Sequence, residues 1–380
     1  MFRHQKPYLV ARNSMLPTDL QNLIEKGESI FISGRAGTGK TWLLRNLLEY
    51  SRSRGRSVTV TAPTGMAAVN CEGQTLHGVF HFPVRRENHR PTVITKNDKW
   101  FKQLADNNPA WGMDMLFIDE ISMVRADLFD ALEKVLRRHG PKVGEPFGGV
   151  QIVLFGDPLQ LPPIVKTQDR KWFRHPHWHS EWFFNTRAFR NQGFHPYHLN
   201  RNFRQHDPGF AAVLDRVRLG EADHDDLAFL RTLCRREPYH QQALHLYCRK
   251  PPAVAFNNTQ IGCLPGKSHP FAAVVHPDWN GDDPVEREII LKVGARVMLR
   301  ANLDVGGGWV NGTLGIISDV DEEGGQILMT RDDGAELRIG AHTWEHDLSR
   351  RSGEKYERKA TFSQMPVELA WAFTIHKMQG

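Results

Sequence analysis

Gly34-Arg35-Ala36-Gly37-Thr38-Gly39-Lys40-Thr41 lies between the apolar run Ile30-Phe31-Ile32 and the stretch Trp42-Leu43-Leu44-Arg45-Asn46-Leu47-Leu48. It fits the pattern GxxxxGK[ST] and decides the fold. Glycines let successive backbone N–H groups curl around phosphate oxygens, and the helix that follows adds the positive potential of its N-terminus. A lysine at the seventh place reaches β- and γ-phosphates, and the hydroxyl after it suits Mg²⁺. Chance produces such a match about once in a hundred chains of this length, and here it stands where it must, between a strand and a helix. Gly34, Ala36, Gly37, Thr38, Gly39, Lys40 and Thr41 are therefore the expected nucleotide-binding residues.

Working outward, Val58-Thr59-Val60, Met115-Leu116-Phe117-Ile118 and Ile152-Val153-Leu154-Phe155 read as further buried strands. Leu128, Leu132, Val135 and Leu136 fall at helical spacing between the last two. Strands alternating with helices predict a parallel sheet covered on both faces, with ligands at the carboxyl ends of the strands. Phe210, Val213, Leu214 and Val217 give another helix, and Ala243 to Cys248 another buried strand. From about Ile289 the texture changes. Val293-Gly294, Gly306-Gly307-Gly308, Asn311-Gly312, Glu323-Gly324-Gly325 and Asp333-Gly334 punctuate short alternating runs, the pattern of a small antiparallel barrel.

The chain has 380 residues, 40% hydrophobic and 24% charged, which suits a soluble protein of two or three domains. No apolar run approaches the roughly 20 residues of a membrane helix. Four cysteines, none in a CxxC pair, argue against a disulfide framework and a structural zinc site. With 49 Lys+Arg against 43 Asp+Glu the net charge is +6, a weak lean toward a polyanionic partner. No secretory signal is present at the N-terminus, where Arg3, Lys6 and Arg12 precede the first acid, Asp19. The expectation is an intracellular protein of cytoplasm or nucleoid, or of nucleus or mitochondrion in a eukaryote.

Leu116-Phe117-Ile118-Asp119-Glu120 is an apolar strand ending in two acids. At a strand end facing the phosphates, Asp119 suits a Mg²⁺ ligand and Glu120 a base that orients water. Gln160, in Gly156-Asp157-Pro158-Leu159-Gln160-Leu161-Pro162-Pro163, offers an amide for the γ-phosphate or the attacking water.

Further stretches occur in a fixed order: Thr61-Ala62-Pro63-Thr64-Gly65-Met66-Ala67-Ala68, Thr75-Leu76-His77, Asp119-Glu120-Ile121-Ser122-Met123-Val124, Asn202-Phe203-Arg204-Gln205, Val293-Gly294-Ala295-Arg296-Val297-Met298, Asn311-Gly312-Thr313-Leu314-Gly315 and Thr374-Ile375-His376-Lys377-Met378-Gln379-Gly380. With the Gly156–Pro163 stretch they resemble the PIF (petite integration frequency) family of superfamily 1B DNA helicases, relatives of the RecD-like helicases. The resemblance runs from about Leu16 to the last residue. It implies two RecA-like P-loop domains, with a small β-barrel inserted in the second. The layout it predicts is an N-terminal extension (1–13), a first ATPase domain (14–184) with a wedge-like insertion near 78–110, a second domain (185–288 and 367–380) that is incomplete at its C-terminus, and the barrel (289–366).

The resemblance further implies ATP- and Mg²⁺-dependent 5′-to-3′ movement on single-stranded DNA and tailed duplexes, RNA not being excluded. In this reading Lys40, Glu120, Gln160 and Arg204 are catalytic, Arg204 acting as an arginine finger, and Thr41 and Asp119 hold the metal. Thr64, Thr75, His77, Thr374, His376 and Lys377 match motifs that line the DNA channel. Phe80 and Phe82 stack on bases or pack in the core. The family's adenine-contacting glutamine has no counterpart in register, since Pro17 stands there and Gln21 lies nearby. The alternative is a DNA-binding P-loop ATPase, a fragment or clamp, that does not unwind.

Overall fold

The computed structural model describes residues 16–82, 108–174, 178–205, 207–234, 243–279, 283–304, 306–347 and 359–378. Two compact units part at Ala228 and Phe229. The expected N-terminal extension, and most of the expected wedge, lie outside the described residues.

The first unit is built on six parallel strands: β1 (Ile30–Gly34), β2 (Val58–Ala62), β3 (Gln74–Thr75), β4 (Met115–Ile118), β5 (Gln151–Gly156) and β6 (His195–Leu199), in the order β3-β2-β4-β5-β1-β6. Every residue of β4 and β5 is buried, as a sheet covered on both faces requires. Side chains alternate between two cores. Leu116, Ile118, Ile152 and Leu154 meet Phe129, Leu132, Val135 and Leu136 of the helix Ala126–His139. Met115, Phe117, Val153 and Phe155 meet Leu43, Leu44, Leu47 and Leu48 of the helix Lys40–Ser53.

Strand β6 carries no sequence signal, because Pro196 interrupts a polar run. Proline is tolerated there since β6 is the sheet's edge and pairs on one side only, with β1. Phe80 and Phe82 are both buried in the first of the two cores, which decides for packing over base stacking.

In the second unit, β7 (His245–Tyr247) pairs in parallel with β18 (Ala372–Thr374), β8 (His269–Ala272) pairs with β10 (Glu288–Leu291), and β16 (Lys359–Gln364) lies between β15 (His342–Asp347) and β9 (Val274–Val275). Leu246 is exposed, so β7 is not the buried strand that its composition predicts. A five-stranded antiparallel sheet joins β11 (Arg296–Leu299), β12 (Leu314–Asp321), β13 (Gln326–Thr330), β14 (Glu336–Ile339) and β17 (Val367–Leu369). The glycine-punctuated runs thus do fold as antiparallel strands.

Asn257, on the helix Lys250–Cys263, ties that helix to the join between β17 and β18. Its amide donates to Leu369 O at 3.2 Å and Ala372 O at 2.9 Å, and accepts from the N–H of Trp371 at 3.1 Å and of Ala372 at 2.8 Å. Asn257→Leu strands these buried backbone groups at about 1–3 kcal/mol each. A loss of about 3 kcal/mol or more is expected in urea denaturation. An unchanged midpoint would show that the amide is not the staple.

Candidate functional site

The phosphate loop leaves β1 at its carboxyl end and enters the helix Lys40–Ser53. Gly37 and Gly39 sit at φ +79° and +85°, a region open to glycine at little cost. A Cβ on Gly37 would lie 2.5 Å from Arg204 Cβ. Phe203 N–H donates to Gly37 O at 2.8 Å, so the Asn202–Gln205 segment packs on the loop. Asn202 Oδ1 shapes that segment by accepting from the N–H groups of Arg204 at 2.8 Å and Gln205 at 3.2 Å. Arg204 itself is exposed.

Lys40 is only 9% exposed and donates to Gly34 O at 2.6 Å and Arg35 O at 3.1 Å. Burial holds its pKa below the usual lysine value, against the pull of Glu120, Asp157 and Asp119. Thr38 is buried and donates to Arg35 O at 2.9 Å, Ala36 is exposed, and Thr41 is half-buried on the first turn of the helix.

Asp119 follows β4 directly and is buried, which raises its carboxyl pKa. Its Oδ1 accepts from Glu120 N–H at 2.9 Å. That bond helps to hold Glu120 at φ +48°, a left-handed conformation that costs a residue other than glycine about 1–2 kcal/mol. Gln160 donates from Nε2 to Asp157 Oδ2 at 3.2 Å.

Lys40, Asp119, Glu120 and Asp157 thus form one electrostatic cluster at the carboxyl edge of the sheet. Asp157 lies in the Gly156–Pro163 motif, but the sequence reading gives it no role and does not single out its partner Arg218. Their bond joins residues 61 apart, and no local pattern announces it.

Thr64 and Thr75 each begin a short helix, accepting from Ala67 N–H at 3.2 Å and Gly78 N–H at 3.1 Å. His77 is half-buried. Burial, then the charge of Arg125, keeps its pKa below the usual histidine value. In the second unit Thr374 ends β18, and Lys377 donates to Glu368 Oε2 at 2.6 Å. Both line a cavity of about 890 Å³ that Lys250, Lys292, Arg300 and Glu368 share. The side chain of His376 lies outside the described residues.

The sequence profile of PIF1-like helicases matches residues 19–226, more than half of the 380. The chain belongs to the PIF1-like helicase family. A second profile, the 2B domain of DNA helicase Pif1, matches residues 280–320. Among relatives, the ATP-dependent DNA helicase PIF1 of Rattus norvegicus is 33% identical over 374 residues, covering 94% of this chain and 54% of its own length. The Pif1 of Bdellovibrio bacteriovorus is 27% identical, with 94% and 77% covered. The chain thus spans about half the length of the mammalian PIF1 proteins it matches. Among solved structures, a Bacteroides Pif1 bound to single-stranded DNA is 32% identical with a TM-score of 0.75, covering 96% of this chain and 82% of that one. The Candida albicans Pif1 helicase is 26% identical with a TM-score of 0.76, with 96% and 87% covered.

One local pair in this PIF1-like chain holds a residue of the last matched motif. Glu368 occupies the ammonium that the Thr374–Gly380 motif would give to a phosphate, with Arg300 Nη1 at 3.7 Å from the same carboxylate. Glu368→Gln releases Lys377. Single-strand affinity is expected to rise a few-fold, and the salt slope to steepen by about 0.7, the share of one phosphate. An unchanged slope in a salt titration would show that Lys377 meets no phosphate.

Proposed function

We propose that the chain is the motor of an ATP- and Mg²⁺-dependent DNA helicase, moving 5′-to-3′ along single-stranded DNA and acting at duplex junctions. One observation carries the reading. A lysine ammonium is buried in a glycine-walled loop at the carboxyl edge of a parallel sheet, within the field of three carboxylates. A structural lysine has no use for such a site, whereas a phosphate chain does. The substrate rests on kinship, since relatives are named ATP-dependent DNA helicases and one was crystallised with ADP-AlF3 and single-stranded DNA, and the direction rests on the motif resemblance alone.

In this reading the N–H groups of Gly34 to Thr41 hold the β- and γ-phosphates, and Lys40 exchanges its carbonyl partners for phosphate oxygens. The oxygens of Thr41 and Asp119 fit Mg²⁺, which takes one or two protein oxygens and completes its shell with phosphate and water. Bound there, the metal neutralises charge on the β- and γ-phosphates. Glu120, next to Asp119 at the end of β4, takes the proton of the attacking water. Gln160 orients that water, and Arg204, whose segment packs on the loop, is the candidate for the charge that stabilises the transferring phosphoryl group.

Thr64, Thr75 and His77 in the first unit and Thr374, His376 and Lys377 in the second form the proposed backbone contacts to DNA. These residue types read phosphate rather than sequence, so RNA remains an alternative strand. The antiparallel strands β11–β14 support an inserted small barrel at 289–366, and the parallel pair β7–β18 supports a second RecA-like sheet around it. A partner of this kind gives the protein an intracellular place of action. Among the described residues no helix is long and apolar enough to cross a membrane. The reading without unwinding, a DNA-dependent ATPase, shares every one of these residues. It differs only in a strand-displacement assay.

Lys40→Ala is expected to reduce DNA-stimulated ATP hydrolysis by at least about 10³-fold and to leave single-strand affinity within a few-fold. Near-normal ATPase in this variant would sink the assignment. Glu120→Gln keeps shape and hydrogen bonding but loses the base. It is expected to bind ATP with Mg²⁺ and turn over about 10²- to 10⁴-fold more slowly. If nucleotide binding disappears instead, Glu120 and Asp119 exchange roles.

A further inference from the structure

Two ion pairs of opposite polarity fasten the helix Pro208–Leu219 to the nucleotide cradle. On the phosphate loop the cradle supplies the cation, with Arg35 paired to Asp215 and donating to Asn200 O at 3.1 Å. At the end of β5 the cradle supplies the anion. Asp157, with no exposed surface, accepts from Arg218 Nε at 2.9 Å and Nη2 at 2.7 Å. Asp215 and Arg218 stand at i and i+3, on one face of the helix. A helix shifted along this face would set like charges together, so the crossed polarity fixes one register.

Asp157 also governs its own loop. Its Oδ1 accepts from Leu159 N–H at 3.1 Å, and its Oδ2 from Gln160 Nε2 at 3.2 Å. A carboxylate only accepts, so it takes the amino end of the Gln160 amide and turns the carbonyl end away. That polarity matters, because a carbonyl oxygen can accept from a water that is about to attack, and an amino group cannot.

We propose that Arg218 is a positioning residue for ATP hydrolysis, acting through Asp157 to hold the Gln160 amide with one defined end toward the reacting groups. This rests on the reading of the site as an ATPase centre. The charged groups that face Asp157 are Arg218 from the helix and Lys40 from the phosphate loop. Asp119 and Glu120, beyond β4, face the same lysine. Burial alone pushes the Asp157 carboxyl up. The Arg218 guanidinium, with Leu159 N–H and Gln160, outweighs it and holds the group below the usual carboxylate range. Without the guanidinium, burial wins and Asp157 binds its proton at higher pH. A protonated carboxyl can donate as well as accept, so it no longer fixes which end of the Gln160 amide faces it.

The sign follows. In the unaltered protein the ionised form persists until pH falls below the usual carboxylate range. In Arg218→Gln it is lost at higher pH, so the acid limb of kcat moves up. The test is DNA-stimulated ATPase of the full chain from about pH 5.5 to 9, with a fluorescent ADP to measure nucleotide binding, on the unaltered protein, Arg218→Gln, Arg218→Lys and Lys40→Ala. Arg218→Gln is expected to lower kcat about 10- to 100-fold at neutral pH with KM within about three-fold, to move the acid limb upward, and to recover partly at alkaline pH. Arg218→Lys restores the charge without the two-pronged geometry, so its acid limb returns while kcat stays intermediate.

An unchanged kcat and pH profile in Arg218→Gln overturns the proposal. So does an equal loss in both Arg218 variants with no shift of the limb, which would make Arg218 a structural tie only. If Arg218→Gln fails to bind ADP, Arg218→Lys decides. Lowered kcat at unchanged KM supports the proposal, and unaltered kcat, or joint loss of kcat and KM, overturns it. Retained ATPase in Lys40→Ala would instead overturn the reading of the site on which the proposal rests.

Discussion

A buried ammonium sets the terms for the first unit. Lys40, whose backbone ends the loop and begins the helix, is bonded to the carbonyls of Gly34 and Arg35. Taking a charge out of water costs several kcal/mol unless dipoles and opposite charges replace the solvent. The loop supplies the dipoles, and the ends of β4 and β5 supply the carboxylates. This works only if β1 ends beside β5 and close to β4, which the sheet order provides. The turn must also be tight, hence the left-handed Gly37 and Gly39. Without phosphate the lysine keeps the loop in shape by bonding to its carbonyls, and a phosphate chain offers the same cation better acceptors.

The carboxylates raise a second requirement. A strand end crowded with acids needs cations or N–H donors for each one. Asp119 takes the N–H of Glu120, which is why Glu120 accepts a strained backbone. Asp157 takes Arg218, Leu159 N–H and Gln160, and it lies below the usual carboxylate range although nothing of it is exposed. The helix Pro208–Leu219 is therefore held to the cradle by charge rather than by apolar packing. Of its residues only Val213 is buried, while Leu214, Val217 and Leu219 are exposed.

What the sequence discloses follows from how local the controlling physics is. Strands β4 and β5 are legible because burial on both faces demands apolar runs, and β1 and β2 because their apolar and β-branched residues stand beside turn signals. The phosphate loop is legible because one turn needs particular residues at fixed offsets. The antiparallel strands of the second unit are legible through their glycine turns. Strand β6 is not, because an edge strand needs neither an apolar pattern nor a full ladder, and Pro196 can sit in it. The Arg218–Asp157 and Asn257 ties are not legible either, since each joins side chains or backbone far apart in the chain. Phe80 and Phe82 leave two readings open in sequence, and only their burial separates them.

The same accounting bears on the proposed nucleic-acid contacts. In the first unit several cations are already engaged with acids: Arg35 with Asp215, Arg125 with Asp127, Arg218 with Asp157. The net charge of +6 is therefore a poor guide to how this unit would hold a polyanion. Its matched residues are instead two hydroxyls and an imidazole. Thr64 and Thr75 use an oxygen lone pair to cap a helix, and a hydroxyl that accepts still has its own hydrogen to donate. His77, lowered by burial and by Arg125, is neutral at physiological pH and binds by hydrogen bonding rather than by charge. Neutral donors release no counterions, so they set the path of a strand without adding to its salt dependence. On this argument any electrostatic share of the matched contacts falls to Lys377 in the second unit, where Glu368 holds the ammonium in a charge pair.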